Sequence, residues 1–129
     1  MSKSNCQKVM LIEDDDSMLS ILKTLLDFEG FQIGAVEKDH TINNVADVIY
    51  LIRQERPGLI LLDINFRHIN GLDVLRCLRS DPAICDVRVL ISSGMDLAEE
   101  SEKEGADGFL LKPYMPDDLI CRINDLVRD

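Results

Sequence analysis

The sequence reads as a doubly wound α/β domain, a parallel sheet with helices on both faces. Three observations predict it. Short apolar runs recur along the chain, stretches with apolar residues at helical spacing lie between them, and the runs end abruptly in polar residues. Runs of this length suit strands buried on both faces, as parallel sheets require.

The first run is Val9-Met10-Leu11-Ile12, stopped by Glu13-Asp14-Asp15-Asp16. Met18, Leu19, Leu22, Leu25 and Leu26 then form a helical stripe, with Asp16 or Ser17 expected as N-cap and Gly30 past the end. Phe31 to Val36 is a weaker run and reads as an edge strand. Val45, Val48, Ile49 and Ile52 make the second stripe, before Leu59-Ile60-Leu61-Leu62 ends at Asp63. Leu72, Leu75 and Leu78 form the third. Val87 to Ile91, broken only by Arg88, ends in Ser92-Ser93-Gly94. Met95 to Glu104 is poorly striped, so a fourth helix there is expected to be short, weakly docked and mobile. Phe109-Leu110-Leu111 runs into Lys112-Pro113, and Pro116-Asp117-Asp118 opens a last helix striped by Leu119, Ile123, Leu126 and Val127. Five β/α repeats in 129 residues imply one domain spanning residues 1–129.

Composition narrows the function. Apolar residues make up 46% and charged residues 29%, ordinary for a soluble protein. No apolar run approaches the roughly 18 residues of a membrane span, and MSKSNCQK has no apolar segment behind it. A cytoplasmic protein without membrane contact is expected. A net charge of −10 repels phosphate backbones, so nucleic-acid binding by this domain is not expected. Cys6, Cys77, Cys85 and Cys121 show no metal-ligand spacing and read as free thiols; His40 and His68 lack a partner at i+3 or i+4.

The chemistry lies where the polar residues fall. Glu13 and Asp14, Asp63, Ser93 and Lys112 each follow a different buried run. Ligands of doubly wound sheets bind beyond the carboxyl ends of the strands, where strand order reverses. With order 2-1-3-4-5 that point lies between the first and third strands, and three acids, a hydroxyl and an ammonium share one pocket. Clustered carboxylates need a cation, and oxygen-only ligands select a hard one, Mg²⁺ before Ca²⁺. Mg²⁺, Lys112 and Ser93 around Asp63 would be equipment for moving a phosphoryl group onto a carboxylate. Taken singly, each feature has a plainer reading: a solvated acidic turn, a helix cap, a loop.

As a set, KVMLIEDD, LILLDIN, VLISSG and GADGFLLKPY resemble the receiver domain of two-component response regulators over essentially the whole chain. The resemblance implies a flavodoxin-like (βα)5 fold. It also implies phosphorylation of Asp63 by a sensor histidine kinase or phosphotransfer protein, and a switch that signals to an unspecified output partner. Such a domain promotes only its own phosphorylation and dephosphorylation. Asp14 would be a direct Mg²⁺ ligand, Glu13 would act through water, and Asn65 would offer its backbone carbonyl. Ser93 stands at the switch hydroxyl, Lys112 at the phosphoryl-binding lysine, and Phe109 at the aromatic that turns inward on activation. The Lys112-Pro113 bond is one that such domains often make cis. The register with Glu13-Asp14 as the acidic pair fits the four apolar residues after Lys8; Asp14-Asp15 is the alternative.

Three departures stand out. Arg67 replaces the usual proline, which is expected to loosen the loop after Asp63. Glu37 to Asn44 is longer than usual. Ser93 and Lys112 are 19 positions apart, about one helical turn short, on the surface that usually signals. Rival readings have weaker support. An Asp-nucleophile phosphatase of the haloacid-dehalogenase type needs a second carboxylate two residues on, where Asn65 stands. A nucleotide- or flavin-binding module wants a glycine-rich or hydroxyl-rich phosphate loop where the acidic run stands. A degenerate receiver acting only as an interaction module is opposed by the intact acceptor set.

Overall fold

The computed structural model describes residues 8–35 and 42–127. Cys6, His40 and most of the long stretch before the second helix lie outside them. The elements follow in the order β1 (Lys8–Ile12), α1 (Asp16–Phe28), β2 (Gln32–Ala35), α2 (Val45–Glu55) and β3 (Leu59–Asp63). A short hairpin comes next, β4 (Asn65–Phe66) and β5 (Ile69–Asn70), then α3 (Gly71–Arg79), β6 (Arg88–Ser93), α4 (Ala98–Lys103), β7 (Gly108–Leu111) and α5 (Pro116–Val127). The main sheet is parallel, in the order β2-β1-β3-β6-β7. Apart from the hairpin strands this is the expected 2-1-3-4-5, and the order reverses between β1 and β3.

Side-chain alternation along each strand divides the core into two layers. Val9 and Leu11, Leu59 and Leu61, and Leu90 join Leu19, Leu22, Leu119 and Ile123 of α1 and α5. Met10 and Ile12, Ile60 and Leu62, and Val89 and Ile91 join Val48, Ile52, Val74, Leu75 and Leu78 of α2 and α3. Burying a residue of this kind stabilises the fold by about 1.5–3 kcal/mol, which is why the strands read as continuous apolar runs. Asp63, the last residue of β3, continues the Leu59–Leu61 side.

The helix ends are locally encoded. Asp15, one residue before the expected cap, accepts the Met18 N–H at 3.1 Å. Because β1 stops at Ile12, three acids, the last of them the cap, suffice to cross the sheet edge and the helix starts at Asp16. Asn44 and Asn70 cap α2 and α3 through the N–H groups of Asp47 and Leu72. Gly71 is required by packing, since a Cβ there would lie 2.7 Å from the Ile64 Cα. Six-residue α4 has no side-chain cap hydrogen bond, and its buried residue is Ser101. No helix among the described residues is long and apolar enough to cross a membrane.

Candidate functional site

The carboxyl ends of β1 and β3 bring Glu13, Asp14 and Asp63 together, and one carboxylate oxygen from each lies within 4.8 Å of the others. Glu13 and Asp63 are buried, while Asp14 is exposed. From the end of β7, Lys112 reaches across the sheet edge. Its ammonium stands 3.1 Å from Glu13 Oε1 and 3.2 Å from Asp63 Oδ2. Peptide donors hold the other oxygens: Asp15 N–H on Glu13 Oε2 at 3.0 Å, Asn65 N–H on Asp63 Oδ1 at 3.1 Å, and Arg67 N–H on Asp14 Oδ2 at 2.9 Å.

The electrostatics follow from this crowding. Burial pushes the Glu13 carboxyl above the ordinary range against the Asp15 N–H, the Asp63 charge pushes the same way, and Lys112 offsets part of the rise. Burial alone would lower Lys112, but the charges of Asp63 and Glu13 outweigh it and the ammonium is held more firmly than usual. Burial, followed by the charges of Glu13 and Asp63, raises the Tyr114 hydroxyl above its ordinary value. That hydroxyl oxygen is buried and has no hydrogen-bond partner among the described residues.

The other sequence-derived residues lie on the neighbouring elements. Ser93 ends β6, fully buried; its hydroxyl accepts the Met95 N–H at 3.0 Å and its carbonyl accepts the Lys112 N–H at 2.7 Å. Asn65 opens the hairpin, paired with Asn70. Phe109 is half-buried on β7 and lines a cleft of about 490 Å³ shared with Ala98, Ser101, Leu111 and Arg122. The Lys112-Pro113 bond is cis. Cys77, Cys85 and Cys121 are free thiols on the surface.

Arg67 corrects one expectation. The segment after Asp63 is a paired hairpin, with Arg67 at its turn at φ 57. A proline, held near φ −65° and lacking an N–H, could neither adopt this turn nor donate to Asp14. Reading the sequence missed the Arg67 N–H and the Tyr114 hydroxyl as members of the site. Nothing in the chain signals the first; Tyr114 two residues after Lys112 was a legible signal for the second. For a metal, the donor set of three carboxylates within 4.8 Å, without His or Cys, fits a hard, oxygen-seeking divalent ion of the Mg²⁺ class.

Comparison with known proteins agrees with the geometry. The family model described as the response regulator receiver domain matches residues 9–124. The cell cycle transcriptional regulator CtrA of Caulobacter vibrioides is 33% identical over 122 residues, covering 94% of this chain and 50% of the relative. The DNA-binding response regulator MtrA of Mycolicibacterium smegmatis is 29% identical, covering 95% and 51%. The chain thus spans about half the length of these curated relatives. Among solved structures, a response-regulator receiver domain from Bermanella marisrubri superposes with a TM-score of 0.81 at 29% identity, covering 95% of this chain and 99% of that one. The receiver domain of a putative LuxO repressor protein from Vibrio parahaemolyticus gives 0.79 at 27%, covering 95% and 90%. With the acidic pocket at the β1–β3 switch point and the family match running through every core strand, the chain belongs to the receiver-domain family of two-component response regulators.

Proposed function

We propose that this domain accepts a phosphoryl group on Asp63 in a Mg²⁺-dependent reaction and relays it as a change of conformation. The observation that carries the reading is the setting of Asp63. Its carboxylate lies between the Lys112 ammonium at 3.2 Å and the Glu13–Asp14 pair. A carboxylate oxygen of Asp63 attacks the phosphorus of a phosphohistidine on a sensor kinase or phosphotransfer protein. The P–N bond breaks, imidazole leaves with the electron pair, and an acyl phosphate forms.

Asp14 and Asp63 would hold Mg²⁺ directly, Glu13 through water and Asn65 through its carbonyl. The ion would neutralise the clustered negative charge and draw phosphoryl oxygens into the pocket. Lys112 would move from the carboxylates to a phosphoryl oxygen, and the Ser93 hydroxyl would leave the Met95 N–H to donate to another. The Phe109 ring, which lines a cleft beside α4, would turn inward as the segment after Ser93 shifts. On this reading residues 1–129 act as one receiver domain that modifies only itself. It signals to an output partner without itself contacting nucleic acid, which a net charge of −10 opposes.

The test is intact-mass measurement after incubation with acetyl phosphate and Mg²⁺. One acid-stable, hydroxylamine-labile phosphoryl group is expected on the wild type and none on Asp63→Asn. Labelling of that variant at the wild-type rate would remove Asp63 from the role.

A further inference from the structure

The hairpin turn after Asp63 holds Arg67 in the left-handed region at φ 57, a conformation that residues with a side chain adopt at a cost and that clusters at functional sites. What the conformation achieves here is visible. It aims the Arg67 N–H at Oδ2 of Asp14, 2.9 Å away and 53 positions earlier in the chain. Asp14 is the exposed member of the acidic cluster, the one whose side chain burial does not immobilise. A single peptide donor on Oδ2 restrains the carboxylate and leaves Oδ1, and a second lone pair on Oδ2, for another ligand.

The donor is itself firmly mounted. Phe66, beside it, is buried in the α2–α3 layer, and β4 and β5 pair Phe66 with Ile69 across the turn. The Arg67 guanidinium lies 5.0 Å from the centre of the Phe66 ring and donates to the Ile42 carbonyl at 3.2 Å, just ahead of α2. Side chain and backbone of one residue thus tie the turn to the core on one side and to Asp14 on the other.

We propose that Arg67 is a positioning residue for the metal: its backbone N–H, presented by the left-handed turn, sets the Asp14 carboxylate for Mg²⁺. The inference rests on the metal reading given above. Donors that orient a metal ligand from behind are worth about tenfold or more in affinity. A carboxylate ordered before binding also gives up less side-chain freedom when the ion arrives.

Two substitutions separate backbone from side chain. Arg67→Gly keeps the N–H and accepts φ 57 readily; Arg67→Pro removes both. Calorimetric titration with MgCl₂ should give R67G an affinity within about twofold of wild type, and R67P one about tenfold weaker. Stability of the metal-free proteins, followed in parallel, serves as the readout of a merely structural role. Hydrogen exchange at the Arg67 amide of the full chain is independent of how R67P folds; it should be slow in the metal-free wild type and fast in Asp14→Ala. Equal affinity in R67P and wild type, an R67G loss as large as that of R67P, or an Arg67 amide indifferent to D14A would each overturn the inference alone. A wild type that binds no Mg²⁺ would overturn the functional reading as well.

Discussion

The ammonium of Lys112 stands 3.2 Å from Oδ2 of Asp63 and, in the same position, 3.1 Å from Oε1 of Glu13. One side chain therefore counters two buried carboxylates from strands that are neighbours in space and 50 positions apart in sequence. Lys112→Ala should strand both acids. Leaving buried charges without a partner predicts a loss of about 1–3 kcal/mol in the metal-free protein. Urea unfolding with and without Mg²⁺ is the measurement. Added Mg²⁺ should stabilise K112A more than wild type, because the ion then has no competitor for the two carboxylates. Equal gains would mean that Lys112 and the metal do not share these oxygens.

The acidic run divides its work between neighbours. Asp15 caps α1 with its side chain and holds Glu13 with its N–H, while Asp14 joins the ligand cluster. Asp15→Ala should cost about 1 kcal/mol through the lost cap and leave Mg²⁺ binding in place. Asp15→Asn, which can still cap, should change little. Asp14→Asn should abolish Mg²⁺ binding and, by relieving repulsion, leave the metal-free protein as stable as before or more so. If D15N proved the more damaging to metal binding, the pair would be Asp14–Asp15.

Helix α4 docks on a serine. Ser101 is 0% exposed and its hydroxyl has no hydrogen-bond partner among the described residues. A buried hydroxyl left unpaired costs about 1–3 kcal/mol, and alanine is the better helix former. Ser101→Ala should therefore raise stability by about 1 kcal/mol and slow hydrogen exchange through residues 98–103. In wild type this segment should exchange fast and change its protection when beryllofluoride fills the phosphoryl position. Identical exchange with and without the mimic would exclude α4 from the switch.

A pH dependence follows from Tyr114. Burial, and after it the charges of Glu13 and Asp63, favour its neutral form in the folded state, so its pKa lies above the ordinary value of 10.0. As pH rises past that value the unfolded chain ionises first, binds fewer protons than the folded one, and stability falls. This contribution is complete below the ordinary tyrosine pKa and lost toward the folded one. Tyr114→Phe should flatten the alkaline decline in urea midpoint; an unchanged slope would place the hydroxyl in water.

Most of the fold is legible along the chain. Strand interiors announce themselves because both faces are covered, so Leu59 to Leu62 are apolar without alternation, and the first polar residue after each run marks a strand end. Gly30 and Asn44 mark helix limits by chemistry local to the chain. Two stripes proved incomplete: Val74 packs in the α2–α3 layer beside Leu75 and Leu78, and α4 buries Ser101 where an apolar residue was missing.

What the sequence by itself determined is the order and type of the main elements, and the ionisable residues that the reversing strand order brings together: Glu13, Asp14, Asp63 and Lys112. These follow from local periodicity and from one topological rule, and both can be read along the chain. The tertiary structure decided the rest. That Asp15 caps α1, that Lys112 bridges Glu13 and Asp63, and that Arg67 adopts φ 57 to hold Asp14 depend on where distant backbones come to lie. A peptide N–H has the same chemistry in every residue except proline, so its partner is chosen by packing and leaves no mark in the sequence.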